Sequence, residues 1–392
     1  MTPHEVFSHP RAFWLDGAGW DTPGLAGWCE PGDVSFSYDA AAGLVTRHRD
    51  GDSRVVGTDP FEVLDEVLGD DPWVGWFGYA SRPDLPALRG SRLPDAVWMR
   101  PRRLVEVPPV EVAGAPVPPA PTDRPEQAYR QAFAEVTERL LAGDSYEVNL
   151  TVRERAAAAA DPLHVHARLR ATNPAPFAGL LAHDVPGARG WLVSSSPERF
   201  AHVADGRVVT RPIKGTTPRG ATPAEDAVQR DRLARDPKFR AENLMVTDLL
   251  RNDVGSVSRV GTVEVPQLMA VESYPGVHQL VTTVTGQLRP DVDALGAVHH
   301  LFPAGSMTGA PKRRTMEVIA AVEADPRGVY AGAFGTLTRD RADLAVVIRS
   351  LCTAGDGTWE WGTGGGITVD SEVESEWAEL RWKAERLRAA LD

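Results

Sequence analysis

Glu242 sits in the run Arg240-Ala241-Glu242-Asn243-Leu244-Met245-Val246-Thr247-Asp248-Leu249-Leu250-Arg251-Asn252-Asp253. On a helix it shares a face with Met245, Val246 and Leu249. A carboxylate on an apolar face is costly unless it is paired or bound to a metal. The spacing leaves both open: a buried ion pair with Arg240, Arg251 or another arginine, or a metal ligand. Further on, Glu372, Glu376 and Glu379 recur at helical spacing and form one acidic stripe near a helix start. A solvated face favoured by the helix dipole accounts for such a stripe by itself, and Glu379 is also placed to pair with Lys383. With Glu242 as a second source of carboxylate, the set suits Mg²⁺, which takes few protein ligands together with waters and an anionic substrate.

Lysine is rare in this chain: Lys214, Lys238, Lys312 and Lys383 stand against abundant arginine. Lysine can lose its proton when desolvated and arginine cannot. In Pro212-Ile213-Lys214-Gly215-Thr216 the lysine lies at the end of a strand. A snorkelling surface lysine is the plain reading. A buried one is a candidate nucleophile, because desolvation favours the neutral amine. In Ser196-Pro197-Glu198-Arg199, Glu198 is either a general acid or half of an ion pair with Arg199. His278, alone in its segment, reads as structural. Gly362-Thr363-Gly364-Gly365-Gly366 permits close backbone approach to an anion, or a flexible turn. Phe302-Pro303-Ala304-Gly305-Ser306-Met307-Thr308-Gly309-Ala310-Pro311-Lys312 puts hydroxyls and free amides at a helix start, which also favours an anion. Its glycine spacing is not that of a phosphate loop.

The elements that must position these groups follow from periodicity. Tyr129, Phe133, Val136 and Leu140 mark a helix ending near Gly143. From Tyr146 to Arg153 apolar and polar residues alternate, which predicts a strand with one apolar and one polar face. Phe200–Val203 and Val208–Thr210 flank an Asp205-Gly206 turn as a hairpin. Helices are expected over 222–235, 238–252, from Pro311 to about Ala324, and over 372–391. Further strands are expected over 329–338 and 344–353, and Asp70–Tyr79 reads as a turn feeding a buried aromatic strand. Helices and hairpins interleave irregularly, which predicts an α+β fold with antiparallel sheets. Residues 107–125 are proline-rich and read as a stiff connector between an N-terminal region (1–106) and a longer C-terminal part (126–392).

The chain has 392 residues, 42% of them apolar and 24% charged, with a formal charge of -12. That charge argues against nonspecific nucleic-acid binding, and an anionic substrate would need local positive charge. Two cysteines, Cys29 and Cys352, cannot build a zinc site or a disulfide framework. No signal pattern or membrane-length apolar run is seen, so a cytoplasmic protein with no membrane partner is expected.

Together these segments resemble the chorismate-utilising enzymes, which include anthranilate synthase component I, aminodeoxychorismate synthase component I, isochorismate synthase and salicylate synthase. The resemblance runs from about Tyr129 to the C-terminus. It is carried by 240–253, 302–312, Arg327-Gly328-Val329-Tyr330, Val347-Ile348-Arg349, and the glycine run followed by Glu376 and Glu379. It implies one large α/β sandwich with antiparallel sheets flanked by helices, which the N-terminal third joins and which binds chorismate and Mg²⁺. It implies Glu242 and Glu379 as metal ligands, with Glu376 helping through water. Ser306, Tyr330, Arg349 and the amides of Gly365 and Gly366 are implied contacts for substrate carboxylates, with Thr216, Thr308 and Gly364 in the same substrate site.

Within the family, Lys214 matches the aminodeoxychorismate branch, since anthranilate synthases carry alanine there. The implied chemistry is covalent: neutral Lys214 attacks ring C2 while the C4 hydroxyl leaves, protonated by Glu198, and ammonia then attacks C4 and expels the lysine. Glu147 stands where isochorismate synthases carry lysine, so water addition is disfavoured, and it becomes a candidate ammonia-site residue. Gln279 stands where pyruvate-eliminating relatives carry histidine, which leaves aminodeoxychorismate as the implied product. Neither cysteine sits in a nucleophile turn. Ammonia is therefore expected from a separate glutamine amidotransferase subunit or from solution, with a separate aminodeoxychorismate lyase needed for p-aminobenzoate. The rivals are anthranilate synthase component I and a noncatalytic chorismate-binding subunit.

Overall fold

In a computed structural model, residues 2–20, 23–108, 126–274 and 276–392 are described. Most of the proline-rich connector, 109–125, lies outside them. Two antiparallel sheets dominate. The first has nine strands in the spatial order Gly309–Ala310, Glu147–Ala157, Thr358–Ile367, Ser350–Thr353, Gly190–Ser196, Phe177–His183, Arg11–Leu15, Gly24–Trp28 and Arg103–Val107. The second runs from Ile213–Pro218 through Val277–Gln287, Arg207–Arg211, Arg199–Ala204, Ala342–Val346, Ala333–Leu337, Trp73–Phe77, Ala96–Met99, Ser35–Asp39 and Leu44–Arg49 to Asp52–Gly57. The Glu264–Ser273 strand pairs with Val277–Gln287 beside this path. Each sheet therefore joins a block of strands from before the connector to a block from after it.

The sheets face each other across one apolar layer. Phe13, Phe177, Leu181 and Leu192 of the first meet Val74, Trp76, Val97 and Phe334 of the second. Helices cover both outer faces. Glu126–Leu141, Lys312–Val322 and Val373–Arg388 pack on the first sheet through Phe133, Val136, Ile319 and Leu380. Pro237–Val257 and Ala294–Leu301 cover the second through Val246, Leu250, Leu295 and Val298. This is an α+β sandwich of antiparallel sheets flanked by helices, and each apolar stripe is hidden from water by the next layer.

Three local expectations change. The polar face expected on the Glu147 strand is buried as well: Glu147, Asn149, Thr151 and Arg153 are each less than a tenth exposed. It is tolerable because the polar groups find partners, with Arg153 on Glu360 at 2.8 Å and the Thr151 hydroxyl donating to Glu323 at 2.8 Å. The strand expected over 344–353 is two strands in different sheets, Ala342–Val346 and Ser350–Thr353. The chain crosses between them at Arg349, which has a φ of 52°. Finally, Gly362–Gly366 forms part of the Thr358–Ile367 strand rather than a turn or nest, paired with Thr151, Leu150 and Asn149 at Gly364, Gly365 and Gly366.

Candidate active site

A cavity of about 460 Å³ opens between the first sheet, the end of the second, and the starts of two helices. Lys214 enters it from a β-bulge. Ile213 pairs with Val281 and Thr216 with Gln279, so one extra residue is accommodated between them. Gly215 takes a φ of 89° there, a conformation that glycine adopts freely. A Cβ at Gly215 would also meet the Phe239 side chain at 2.9 Å. The bulge breaks the alternation of the strand and delivers the Lys214 amine to the cavity, where only 11% of its side chain is exposed.

Lys214 donates to the buried Glu147 carboxylate. Burial works against its ammonium form, but Glu147, Glu242 and Glu198 together outweigh it and hold the group above the ordinary lysine value. The neighbouring carboxylates thus keep Lys214 a buried cation and not the neutral amine expected from burial alone. The pair needs Gly366, because a Cβ there would lie 2.0 Å from Glu147 Oε1 and 2.8 Å from Lys214 Nζ.

Glu198 shows the opposite balance. It is 5% exposed, and burial pushes its carboxyl up to about 7, although a hydrogen bond from Ser306 Oγ at 2.6 Å and the Lys214 charge pull the other way. A carboxyl poised there can give or take a proton near neutral pH. It does not pair with Arg199, which turns to Asp343 and the Gly19 carbonyl instead.

Glu242 and Lys238 come from the start of the Pro237–Val257 helix, which is capped by Asp236. Burial also raises Glu242 to about 7, against the pull of Lys214 and Lys238. It has no arginine partner among the described residues; its ion pair is with Lys238 at 3.9 Å. Lys238 also reaches Glu376 at 3.1 Å. Glu379 pairs with Lys383 at 2.7 Å, and that charge holds its carboxyl below the ordinary range. All three carboxylates line the cavity. Among the described residues no three acidic, histidine or cysteine side chains are drawn together tightly enough to hold a metal as they stand. The donors are nevertheless hard oxygens, and a cation, the Lys238 ammonium, already lies between two of them. That chemistry fits Mg²⁺.

Ser306, Thr216, Tyr330, Arg349 and Gly364–Gly366 also line the cavity. Over the glycine run one strand edge pairs with residues 148–153, while Ser350–Thr353 reaches only Trp359 and Glu360 on the other. Alternate backbone groups there therefore have no ladder partner, so an extended strand edge replaces the expected nest. Thr308 is the exception: it is fully buried outside the cavity lining and its hydroxyl donates to the Ala304 and Gly305 carbonyls. His278 is also fully buried and is held between Ser273 and Asp226. Its neighbour Gln279 faces the cavity and leaves Oε1 without a hydrogen-bond partner.

Among the polar and aromatic lining residues, Asn149, Lys238, Trp382 and Arg386 were given no role in the site from the sequence. Asn149 alternates with Glu147 on one strand face, and that shared face was the signal available for it. Lys238 precedes Glu242 by one helical turn, and Arg386 follows Glu379 by two.

Residues 106–389 match the pattern shared by chorismate binding enzymes. Aminodeoxychorismate synthase of Streptomyces pristinaespiralis is 46% identical over 265 residues, which are 67% of this chain and 36% of that protein. Aminodeoxychorismate synthase component 1 of Klebsiella aerogenes is 42% identical over 68% of this chain and 58% of its own length. Anthranilate synthase component 1 of Mycolicibacterium smegmatis is 43% identical over 70% of this chain and 53% of its own. The chain thus spans roughly a third to three fifths of these relatives. The crystal structure of anthranilate synthase component I from Streptococcus pneumoniae TIGR4 superposes over the whole chain and 98% of that chain, with a TM-score of 0.75 at 22% identity, which shows the shared fold. The chain belongs to the chorismate binding enzymes.

Proposed function

We propose that this chain converts chorismate and ammonia to 4-amino-4-deoxychorismate and water, with Lys214 as covalent nucleophile and Glu198 as proton donor. The observation that supports this most is the pairing of Lys214 with Glu147 beside Glu198 in one buried wall. Similarity alone does not choose the product, since relatives of both aminating kinds match at comparable identity.

Each residue has a task in this reading. Glu147 takes the proton that makes Lys214 a free amine. The amine bonds to ring C2, both conjugated ring double bonds shift by one position, and the C4–O bond breaks; the second step reverses the shift. The departing hydroxyl leaves as water with the proton of Glu198. Ammonia then bonds to C4 and the C2–N bond breaks, returning Lys214 as an amine and leaving the product amine as an ammonium. Lys214 recovers its proton from Glu147, and Glu198 recovers its own from the product ammonium, which leaves as the free amine. Mg²⁺, held by Glu242 and Glu379 with Glu376 through water, would fix the ring carboxylate and offset its charge. Gln279 offers no proton relay for eliminating pyruvate. The name of the component 1 relative supports an ammonia-supplying amidotransferase partner, and p-aminobenzoate would need a separate lyase.

The test is direct: incubate the chain with chorismate, Mg²⁺ and ammonium, then add the lyase. p-Aminobenzoate is expected. Fluorescent anthranilate formed without the lyase would favour the anthranilate synthase reading, and no turnover a noncatalytic one.

A further inference from the structure

Five cationic side chains line the cavity: Lys214, Lys238, Lys383, Arg349 and Arg386. Three are neutralised within it, Lys214 by Glu147, Lys238 by Glu242 and Glu376, and Lys383 by Glu379. Among the described residues, neither Arg349 nor Arg386 forms a close ion pair with a carboxylate, although Glu379, already paired with Lys383, lies near enough to attract Arg349. They are held together even so. The Trp382 indole lies against both guanidinium groups, 4.0 Å from its ring centroid to Arg386 and 5.4 Å to Arg349. Two like charges gathered on one ring repel each other, and burial together with Arg386 lowers Arg349 to about 10. Such a pair is stabilised by an anion bound between or beside the two groups. The position fits that purpose: both arginines and Trp382 also border a smaller recess against Tyr274 and Asn173, so they stand where two spaces meet.

We infer that Arg386, braced on Trp382, works with Arg349 as a two-arginine subsite for one carboxylate of the dianionic substrate. The second is left to the rest of the cavity, where Lys214, Lys238 and Lys383 lie. The inference rests on the cavity being the chorismate site. Arg386 is then a binding residue that sets affinity and captures an anion for a chain whose overall charge repels it. Trp382 is a positioning residue that keeps the guanidinium from swinging into solvent.

Calorimetric titration of the full chain with chorismate, at low and high ionic strength, tests this. Arg386→Met keeps an unbranched stem against Trp382 but removes the charge. It should weaken binding about tenfold or more, the lower end for losing a hydrogen bond to a charged group. It should also flatten the salt dependence of binding. Arg386→Lys should restore most of the salt dependence and part of the affinity. If Arg386→Met binds chorismate as tightly as the wild type with an unchanged salt slope, the subsite is wrong, while the proposed reaction survives. If the wild type binds chorismate but makes no aminodeoxychorismate, the reaction fails and the subsite is still judged by the titration. A wild type that binds no chorismate overturns both.

Discussion

Burial acts on Lys214 and Glu198 alike, and their neighbours decide the result. Lys214 faces three carboxylates and stays charged, while Glu198 has one hydroxyl donor and one cation and is driven toward its neutral form. A charged nucleophile beside a neutral acid is a resting state that must shed one proton internally before it reacts. Lys214→Ala should therefore lower the amination rate by more than about 10²-fold, the lower end for removing a catalytic group. In the proposed reaction Glu198 must be protonated to release the C4 hydroxyl, so the rate of the first bond-forming step should fall as pH rises through about 7. Glu198→Gln should be slow and lack that limb, as measured in single turnovers without ammonia. The same raised values carry a stability consequence. Glu198 and Glu242 ionise near 4.5 when unfolded and about 7 when folded, so their favourable contribution is complete below about 4.5 and lost as pH rises through 7. Ligand-free Glu242→Gln should be more stable than wild type at pH 8, by up to about 2–3 kcal/mol, with the difference vanishing near pH 4.5 in urea titrations.

At the scale of elements, three devices place these groups: a bulge, a glycine strand and a buried arginine. The bulge at Gly215 presents Lys214, and Gly366 leaves room for its pairing with Glu147. Gly366→Ala should leave circular dichroism unchanged and abolish most activity, because the new methyl group displaces the ion pair. The fully buried Arg327 donates to the Met307 and Asn149 carbonyls and to Glu323, so it ties the Ser306 loop to the Glu147 strand. Arg327→Met leaves Glu323 buried without its cation, held among the described residues only by Thr151. It should cost about 3–5 kcal/mol of stability in denaturant unfolding.

Much at this scale was legible in the sequence. The helical spacing of Tyr129–Leu140, the hairpin at Asp205-Gly206 and the acidic stripe all report local preferences, which sequence carries directly. What escaped was set by distant chain. The glycine run reads as an anion nest or a flexible turn because its small residues answer to Tyr330 and to the Lys214 pair packed over the strand, neighbours far away in sequence. The split at Arg349 depends on which sheet each half joins. The charge state of Lys214 depends on acids contributed by two separate elements, Glu147 from a strand and Glu242 from a helix.

In the whole molecule, the cavity lies among elements of both sheets, and each sheet joins a block of strands from before the connector to a block from after it. Arg11–Leu15 pairs with Phe177–His183, and Trp73–Phe77 with Ala333–Leu337. A fragment of residues 126–392 would leave those strands with bare edges and would expose the inter-sheet layer. It should show no cooperative thermal transition, whereas the full chain should. In the proposed function, the net charge of -12 leaves recognition of the dianionic substrate to the cations gathered in the cavity.

The most direct measurement is intact-protein and peptide mass spectrometry after mixing the chain with chorismate and Mg²⁺ in the absence of ammonia. The account predicts an adduct of chorismate less one water, carried on Lys214 and discharged when ammonium is added. Steady production of aminodeoxychorismate by Lys214→Ala, or by a wild type whose Lys214 never carries that mass, would contradict it.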